Sequence, residues 1–481
     1  MKYDVIIVGG GLGGLTSGAK LASEGKKVLL LEQHDRPGGC ATTFKRKDFT
    51  MEVGLHEMDG LHPSDPKTKI FNDLGVFDKV EFLELPEFYR FVNERHDIVI
   101  PHNPELAIKR LLQAFPEEEK GINTYFEHLL NARKILKQRR GMEDISVGHF
   151  LDEIIRNNDL KLVLLGNLGY FHDDPYSLSF SYYLNAQGAY YNGRANFVKG
   201  GSQQLSNALM EIIEENGGVV KLNHLVSKII YEGKIPSAVQ YHRKGETKEK
   251  DFIDTASDII LNAALPNLVK ELMPPEHAGI LEDQIDKMEI GASLLTVYYG
   301  FNKPLTSLGN KNYSTFYYDP SVKSQSDIRA NNHSDFDTRS FTFVDYGQVD
   351  SGLAPEGKSV GAVCCIDYPA DWENLSPQEY KSKKAEAGEK ITDRCEKLIP
   401  GFREAIEHME VATSLSVKRY TLNPKGAVYG FAQLPNKKTD YLSNLPANLH
   451  VASAWGKLGG GFSGAIINGY MTAFEILRRS R

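Results

Sequence analysis

Val5-Ile6-Ile7-Val8-Gly9-Gly10-Gly11-Leu12-Gly13-Gly14 sets four apolar β-branched residues directly before a Gly9-x-Gly11-x-x-Gly14 loop. Such an unbroken run predicts a parallel strand covered on both faces. Residues 12–24 read as a helix stopped by Gly25, and residues 27–31 as a second strand that closes at Glu32. Each glycine has its own physical role. Gly9 permits the tight turn, Gly11 admits a pyrophosphate close to the backbone, and Gly14 lets helix and strand pack closely. The helix start, with Leu12 and Gly13, offers free N–H groups and a partial positive charge to phosphates. Glu32, followed by Gln33, is placed to accept both ribose hydroxyls of an adenosine and to repel a 2′-phosphate. Strand, loop, helix and terminal acid in register predict a dinucleotide site.

Beyond Glu32, Arg36-Pro37-Gly38-Gly39 adds a second glycine turn where the chain passes the same cofactor again. Near the other end, Gly459-Gly460-Gly461-Phe462-Ser463-Gly464 precedes a helix predicted over 465–476. This second helix N-terminus makes Gly461, Phe462 and Ser463 candidates for contact with a long cofactor touched by both chain ends. No second GxGxxG follows a strand, so a separate NAD(P)H domain is not expected.

Composition excludes several classes. The chain has 481 residues, or about three domain-sized units by length. Fifty-six Lys and Arg against 63 Asp and Glu give a net charge of −7, which disfavours a nucleic-acid partner held by bulk charge. Cys40, Cys364, Cys365 and Cys395 have no spacing suited to zinc or a redox CxxC pair, so no metal site is expected and a reduced, cytoplasmic setting fits. No apolar run reaches the ~18 residues needed to span a bilayer. At most, the chain is expected to sit on a membrane face. Residues 160–171 (LKLVLLGNLGYF) read either as a core helix or as an interfacial patch for a lipid. The aromatic runs 294–301, 314–318, 341–344 and 360–366 read as strands, and 377–398 as a helix. The polar stretch 323–339 reads as a solvated loop.

The whole chain resembles, motif by motif and in order, the FAD-dependent phytoene desaturase and amine oxidase superfamily, and within it the retinol saturase and carotenoid isomerase branch. The resemblance runs from the glycine fingerprint through FTMEVGLHEMDG (49–60), YYNGRANFVKGGSQQLSNAL (190–209), Asn262-Ala263-Ala264-x-Pro266 and Gly426-Ala427-Val428-Tyr429-Gly430 to VASAWGKLGGGFSGAIINGY (451–470). The chain departs from the pattern at Met51-Glu52, where relatives commonly carry Phe-Asp. It departs again at Ser453-Ala454, where many place Gly-Asp beside the flavin ribityl chain.

The resemblance implies an α/β fold: a discontinuous Rossmann-type FAD-binding domain (1–75, 195–290, 445–481) interleaved with an α+β substrate domain (76–194, 291–444). It implies FAD as cofactor, with Val226 meeting the adenine through its backbone and Ser453 and Ala454 near the ribityl chain. The implied activity is flavin N5 hydride chemistry on C=C bonds of a long apolar polyene, by a saturase or a cis-trans isomerase. A carotenoid desaturase is the alternative, and a flavin-free prenyl-binding escort protein a more distant one. The electron partner is open. For the paired proton the candidates are His56, Glu57 and Tyr429, with His56 favoured because an imidazole ordinarily titrates nearest neutrality. Aromatic residues such as Tyr170, Phe171, Tyr182, Phe316 and Tyr318, set in the expected substrate domain, read either as core or as an apolar tunnel wall.

Overall fold

The computed structural model describes residues 1–246 and 251–479. At its centre lies the strand Lys2–Val8, whose last four residues are 5% exposed or less. It runs parallel between Val28–Leu31 and Phe252–Leu261, with Val8 opposite both Leu31 and Leu261. Val219–Lys221 extends this sheet beyond Val28–Leu31, and Leu449–Val451 adds a parallel strand beside the end of Phe252–Leu261. A hairpin of His224–Glu232 and Ile235–Arg243 completes the other side through antiparallel pairing. Apolar side chains at alternate positions of residues 5–8 enter two different cores: Val5 and Ile7 one, Ile6 and Val8 the other. This is the period-2 geometry of a strand covered on both sides.

The helix Leu12–Ser23 packs between Ser202–Glu215 and the last helix, Gly461–Arg479. Backbone-to-backbone contact sets the crossing with the last helix. A Cβ on Gly469 would lie 2.2 Å from the Gly13 carbonyl oxygen, and one on Gly13 would lie 1.9 Å from that of Ala452. Segments far apart in sequence therefore build one sheet with its helices.

A second, seven-stranded sheet runs in the order Ile406–Ala412, Ser293–Phe301, Ser359–Asp367, Phe341–Asp345, Ser314–Tyr317, Tyr89–Val92 and Asp97–Ile100. Its neighbours are antiparallel except Ser314–Tyr317 with Tyr89–Val92. Helices Pro104–Ala114, Glu119–Leu130, Ala132–Gln138 and Phe180–Gly193 pack on one another. The four aromatic runs read from sequence as strands are strands here, and Pro377–Leu398 is a single helix with a Ser376/Glu379 capping box.

Of the two readings of 160–171 the core one holds: Leu160, Leu162, Val163, Leu164, Leu165 and Leu168 are all at most 1% exposed and belong to the main core. One expectation changes. The stretch 323–339 is not a plain solvated loop. It holds the short helix Ile328–Asn332, and Asn331 and Asn332 are buried, their amides donating to the carbonyls of Thr338 and Asp173. Among the described residues no helix is long and apolar enough to cross a membrane.

Candidate active site

The glycine loop is held from two sides. Gly9 has φ +102°, open to glycine and strained for other residues, and a Cβ there would lie 2.7 Å from the Asn262 carbonyl oxygen. The Asn262 side-chain amide donates to the Gly9 and Gly11 carbonyls at 3.0 and 3.2 Å. The Gly38 N–H donates to the Gly10 carbonyl at 2.7 Å and brings the second glycine turn onto the first. Gly11 caps the helix with no side-chain acceptor, and no acidic residue stands in the first turn. The orphan N–H groups of that turn are thus left for an anion.

Glu32 ends its strand where the sequence predicts and is 6% exposed. Its Oε2 accepts the Gly10 N–H at 2.7 Å and its Oε1 the His34 N–H at 2.8 Å. Two backbone donors fix the carboxylate at the lip of the loop, and each oxygen keeps a second lone pair for a ribose hydroxyl.

The last helix supplies the opposite wall. Gly460 comes so close to Tyr429 that a Cβ would lie 2.7 Å from its backbone. Ser463 donates to Asp59, whose carboxylate also pairs with the buried Lys67 at 3.1 Å. Lys67 meets Asp65 at 3.1 Å as well, so a compensated charge cluster clamps the start of this helix to the turn after Met58–Asp59. Ser453, at the end of the Leu449–Val451 strand, accepts the Trp455 N–H at 3.3 Å, and its carbonyl takes the Asn468 amide at 3.1 Å.

One cavity of about 1760 Å³ gathers these parts. Every cofactor-binding candidate read from the sequence borders it except Gly14, and so do His56, Glu57 and Tyr429. Gly14 instead packs: its Cβ would lie 2.3 Å from the Gly9 carbonyl oxygen, the helix-to-strand contact its place in the motif predicts. The volume exceeds the ~300–1,000 Å³ of an ordinary ligand pocket. It leaves room for a dinucleotide and a second molecule beside it. The wall of that further space is apolar and aromatic, with Phe171, Tyr182, Phe316, Tyr318, Phe341 and Ile366.

The three proton-carrier candidates differ sharply in state. Burial pushes His56 down to about 4, so its imidazole is neutral at neutral pH and the reason for favouring it does not hold in this fold. Burial and then the Glu87 carboxylate hold Glu57 well above the ordinary carboxyl range, against the opposing influence of the nearby Tyr170 hydroxyl. Burial likewise raises Tyr429, which keeps its phenolic proton.

His56 is also oriented by neighbours that sequence patterns do not single out. Its Nε2 lies 3.3 Å from Cys364 Sγ and its Nδ1 3.5 Å from the Tyr170 hydroxyl, while Thr296 Oγ1 lies 3.2 Å from the same sulfur. Burial pushes the Cys364 thiol up to about 12, so it serves as a neutral hydrogen-bonding group. Cys364 is legible in the sequence only as a residue alternating inward on an apolar strand, and Tyr170 only as one aromatic among many. Asn262, visible in its motif, shows its role only once its strand pairs with Lys2–Val8.

A helix start without a side-chain cap, an anchored carboxylate beside it, a second glycine-rich helix start and ample volume together fit a flavin dinucleotide. The model of the family described as flavin containing amine oxidoreductase matches residues 12–477. The all-trans-retinol 13,14-reductase of Danio rerio is 26% identical over 479 residues, covering 89% of this chain and 77% of that one. The chloroplastic prolycopene isomerase of Daucus carota is 25% identical over 486 residues, covering 93% and 74%. Among solved structures, an oxidoreductase from Methanosarcina mazei superposes with a TM-score of 0.67 at 17% identity over the full length of both chains, a likeness of fold. The chain belongs to the flavin-containing amine oxidoreductase family and is an FAD-dependent oxidoreductase.

Proposed function

We propose that this enzyme acts on C=C bonds of a long, apolar, conjugated isoprenoid, as a saturase or a cis-trans isomerase. The observation that carries the reading is the single cavity in which the glycine loop and Glu32 share a wall with an aromatic, apolar chamber. The names of the relatives, a retinol reductase and a prolycopene isomerase, point the same way. In this reading residues 1–75, 195–290 and 445–481 form the FAD-binding domain, and the rest receives the substrate.

The cofactor-binding roles follow from the chain's own groups. Gly11, Leu12 and Gly13 present amides to the pyrophosphate, Glu32 holds the adenosine ribose, and Val226 meets the adenine by its backbone. Gly38 and Gly39 close the loop from the far side, with Gln33 and Arg36 at its edge. Ser453, Ala454, Gly461, Phe462 and Ser463 serve the flavin end. The pinned carboxylate of Glu32 favours this flavin-bearing reading over a flavin-free escort protein. When bound, FAD supplies hydride exchange at N5 with a carbon of the alkene. Tyr429, beside the start of the last helix and protonated at neutral pH, is the group assigned to the paired proton. His56, neutral and held by Cys364, orients what lies beside it. The aromatic chamber excludes water and aligns an extended chain by its π-faces.

The test is product analysis after anaerobic incubation of the reduced holoenzyme with retinoids and carotenoids. Gain of two hydrogens, or a change of geometry without net redox, supports the reading. Loss of hydrogens with the oxidised holoenzyme makes it a desaturase. No conversion of any polyene, with turnover of a small amine instead, sinks it.

A further inference from the structure

The cavity wall is not uniformly apolar. At one corner three polar side chains from two segments converge: His56 and Glu57 from the loop before Met58–Asp59, and Tyr170 from the turn Leu168–Tyr170. Tyr170 stands edge-on to His56 with ring centroids 5.8 Å apart and edge-on to Phe316 at 5.4 Å, which fixes the phenol against the aromatic wall. Its hydroxyl lies 3.5 Å from His56 Nδ1 and close to the Glu57 carboxyl. Glu57 is 8% exposed, and among the described residues no group meets either of its carboxyl oxygens in full hydrogen-bonding geometry, the Tyr170 hydroxyl being the polar group nearest in influence.

A buried carboxyl left without a partner is costly to keep, and more so in low dielectric. Lys67, which also borders the cavity, is compensated by Asp59 and Asp65. Glu57 is not. We propose that the corner of His56, Glu57 and Tyr170 receives a hydroxyl or carbonyl oxygen of the substrate, so that this enzyme selects oxygen-bearing isoprenoids over hydrocarbons. The proposal rests on the isoprenoid reading above and narrows it.

The hydrogen-bond inventory is complementary. With the Cys364 thiol donating to His56 Nε2, the Nδ1 hydrogen faces the Tyr170 oxygen and leaves the phenolic hydrogen for a further acceptor. In its protonated form the Glu57 carboxyl adds one donor and one acceptor, which a hydroxyl answers in both senses and a carbonyl in one. A methyl terminus seated there answers neither. Apolar pockets with a few convergent polar groups take orientation and specificity from those groups, and a site built to hydrogen-bond an oxygen rejects the analogue lacking it far more strongly than a greasy pocket rejects a size mismatch.

The experiment is a titration of the oxidised holoenzyme, read by perturbation of the flavin spectrum. The probes are all-trans-retinol, all-trans-retinal and the matched hydrocarbon in which the terminal CH2OH is CH3. Wild type is expected to bind alcohol or aldehyde at least about tenfold more tightly than the hydrocarbon. Tyr170→Phe and Glu57→Leu are expected to shrink that ratio towards one while hydrocarbon affinity holds or rises, and Glu57→Gln to retain most of it. Which of alcohol and aldehyde binds better tells the hydroxyl from the carbonyl. Equal affinities in wild type, or an unchanged ratio in both Tyr170→Phe and Glu57→Leu at full flavin content, overturn the proposal and leave the isoprenoid reading standing. Failure of all three probes to bind overturns both.

Discussion

Glu52 and Ser202, 150 residues apart, are joined by two hydrogen bonds: the Glu52 carboxylate accepts the Ser202 N–H and hydroxyl, each at 2.7 Å. The same carboxylate accepts the N–H groups of Gly54 and Leu55 at 3.1 and 2.9 Å. Glu52 is 1% exposed, and it ties the loop that carries His56 and Glu57 to the start of the Ser202–Glu215 helix. In the sequence Met51-Glu52 stands out as a departure from the family pattern; in the fold Glu52 is a four-bond anchor.

Replacing that anchor tests its weight. Glu52→Ala strands the buried backbone donors of Leu55 and Ser202, and frees that of the exposed Gly54, and is expected to cost about 2–4 kcal/mol of stability. Chemical denaturation checks it, and the flavin absorption band should shift as the loop moves. A loss under about 0.5 kcal/mol, less than one ordinary hydrogen bond contributes, would mean the loop is held by something else.

Glu32 offers a cleaner test of the cofactor site. Glu32→Arg removes the acceptor fixed by Gly10 and His34 and puts a cation at the position proposed for the adenosine ribose. The purified variant is expected to retain little FAD, measured by absorbance after denaturation and filtration. Full occupancy would remove Glu32 from the ribose role.

Glu57 makes stability pH-dependent in a direction opposite to a salt-bridged carboxylate. Burial and Glu87 raise it, so above its ordinary value of 4.5 the native state holds a proton that the unfolded chain has released. The native state then binds more protons, and stability falls as pH rises, by up to about 1.4 kcal/mol per pH unit until Glu57 ionises in the fold. Glu57→Gln is expected to flatten that slope. The difference between the two profiles isolates Glu57 from Glu52 and Glu87, which burial also raises. Parallel profiles would refute it.

His56 is expected to stay neutral throughout the pH range of activity. Burial takes it to about 4. Its ring 15N signals, assigned by comparison with His56→Gln, should not titrate above about pH 5, and the pH–rate profile should show no inflection near the ordinary imidazole value of about 6.5 that the variant abolishes. Titration near neutrality would restore it as a proton donor.

How much of this is legible in the sequence depends on the range of the interaction. Residues 5–32 can be read almost to the residue because strand, glycine loop, helix and acid are contiguous, and each obeys a local rule. Gly14 belongs to the same local rule: the motif assigns it to helix–strand packing, and its Cβ would lie 2.3 Å from the Gly9 carbonyl oxygen, away from the cavity. Asn262 is visible as part of a motif, but its amide bonds to Gly9 and Gly11 depend on two strands distant in sequence lying side by side. His56 does border the cavity, yet it does not titrate near neutrality, because desolvation is a property of everything folded around it. Cys364 and Tyr170 carry no signal of their own. Their meaning comes from meeting His56 across 308 and 114 residues.

Tyr429 is the remaining catalytic assignment. Gly460 packs against its backbone with no room for a Cβ and Gly461 lies beside its ring, so the phenol is held at the start of the last helix by close packing. Tyr429→Phe keeps the ring and removes only the hydroxyl, so flavin content and melting temperature are expected to stay near wild type. Loss of general-acid help predicts a fall of about 10²–10⁴ in turnover of an isoprenoid. An additional kinetic readout separates catalysis from mere contact. If the phenol delivers the paired proton, the solvent deuterium isotope effect on wild-type turnover should be normal and larger than one, and the slow residual turnover of Tyr429→Phe should lose its dependence on that group's ionisation at high pH. Wild-type turnover in Tyr429→Phe would pass the proton to Glu57, the other candidate, which burial and Glu87 hold well above the ordinary carboxyl range, and the oxygen-binding corner would then have to serve as the acid as well.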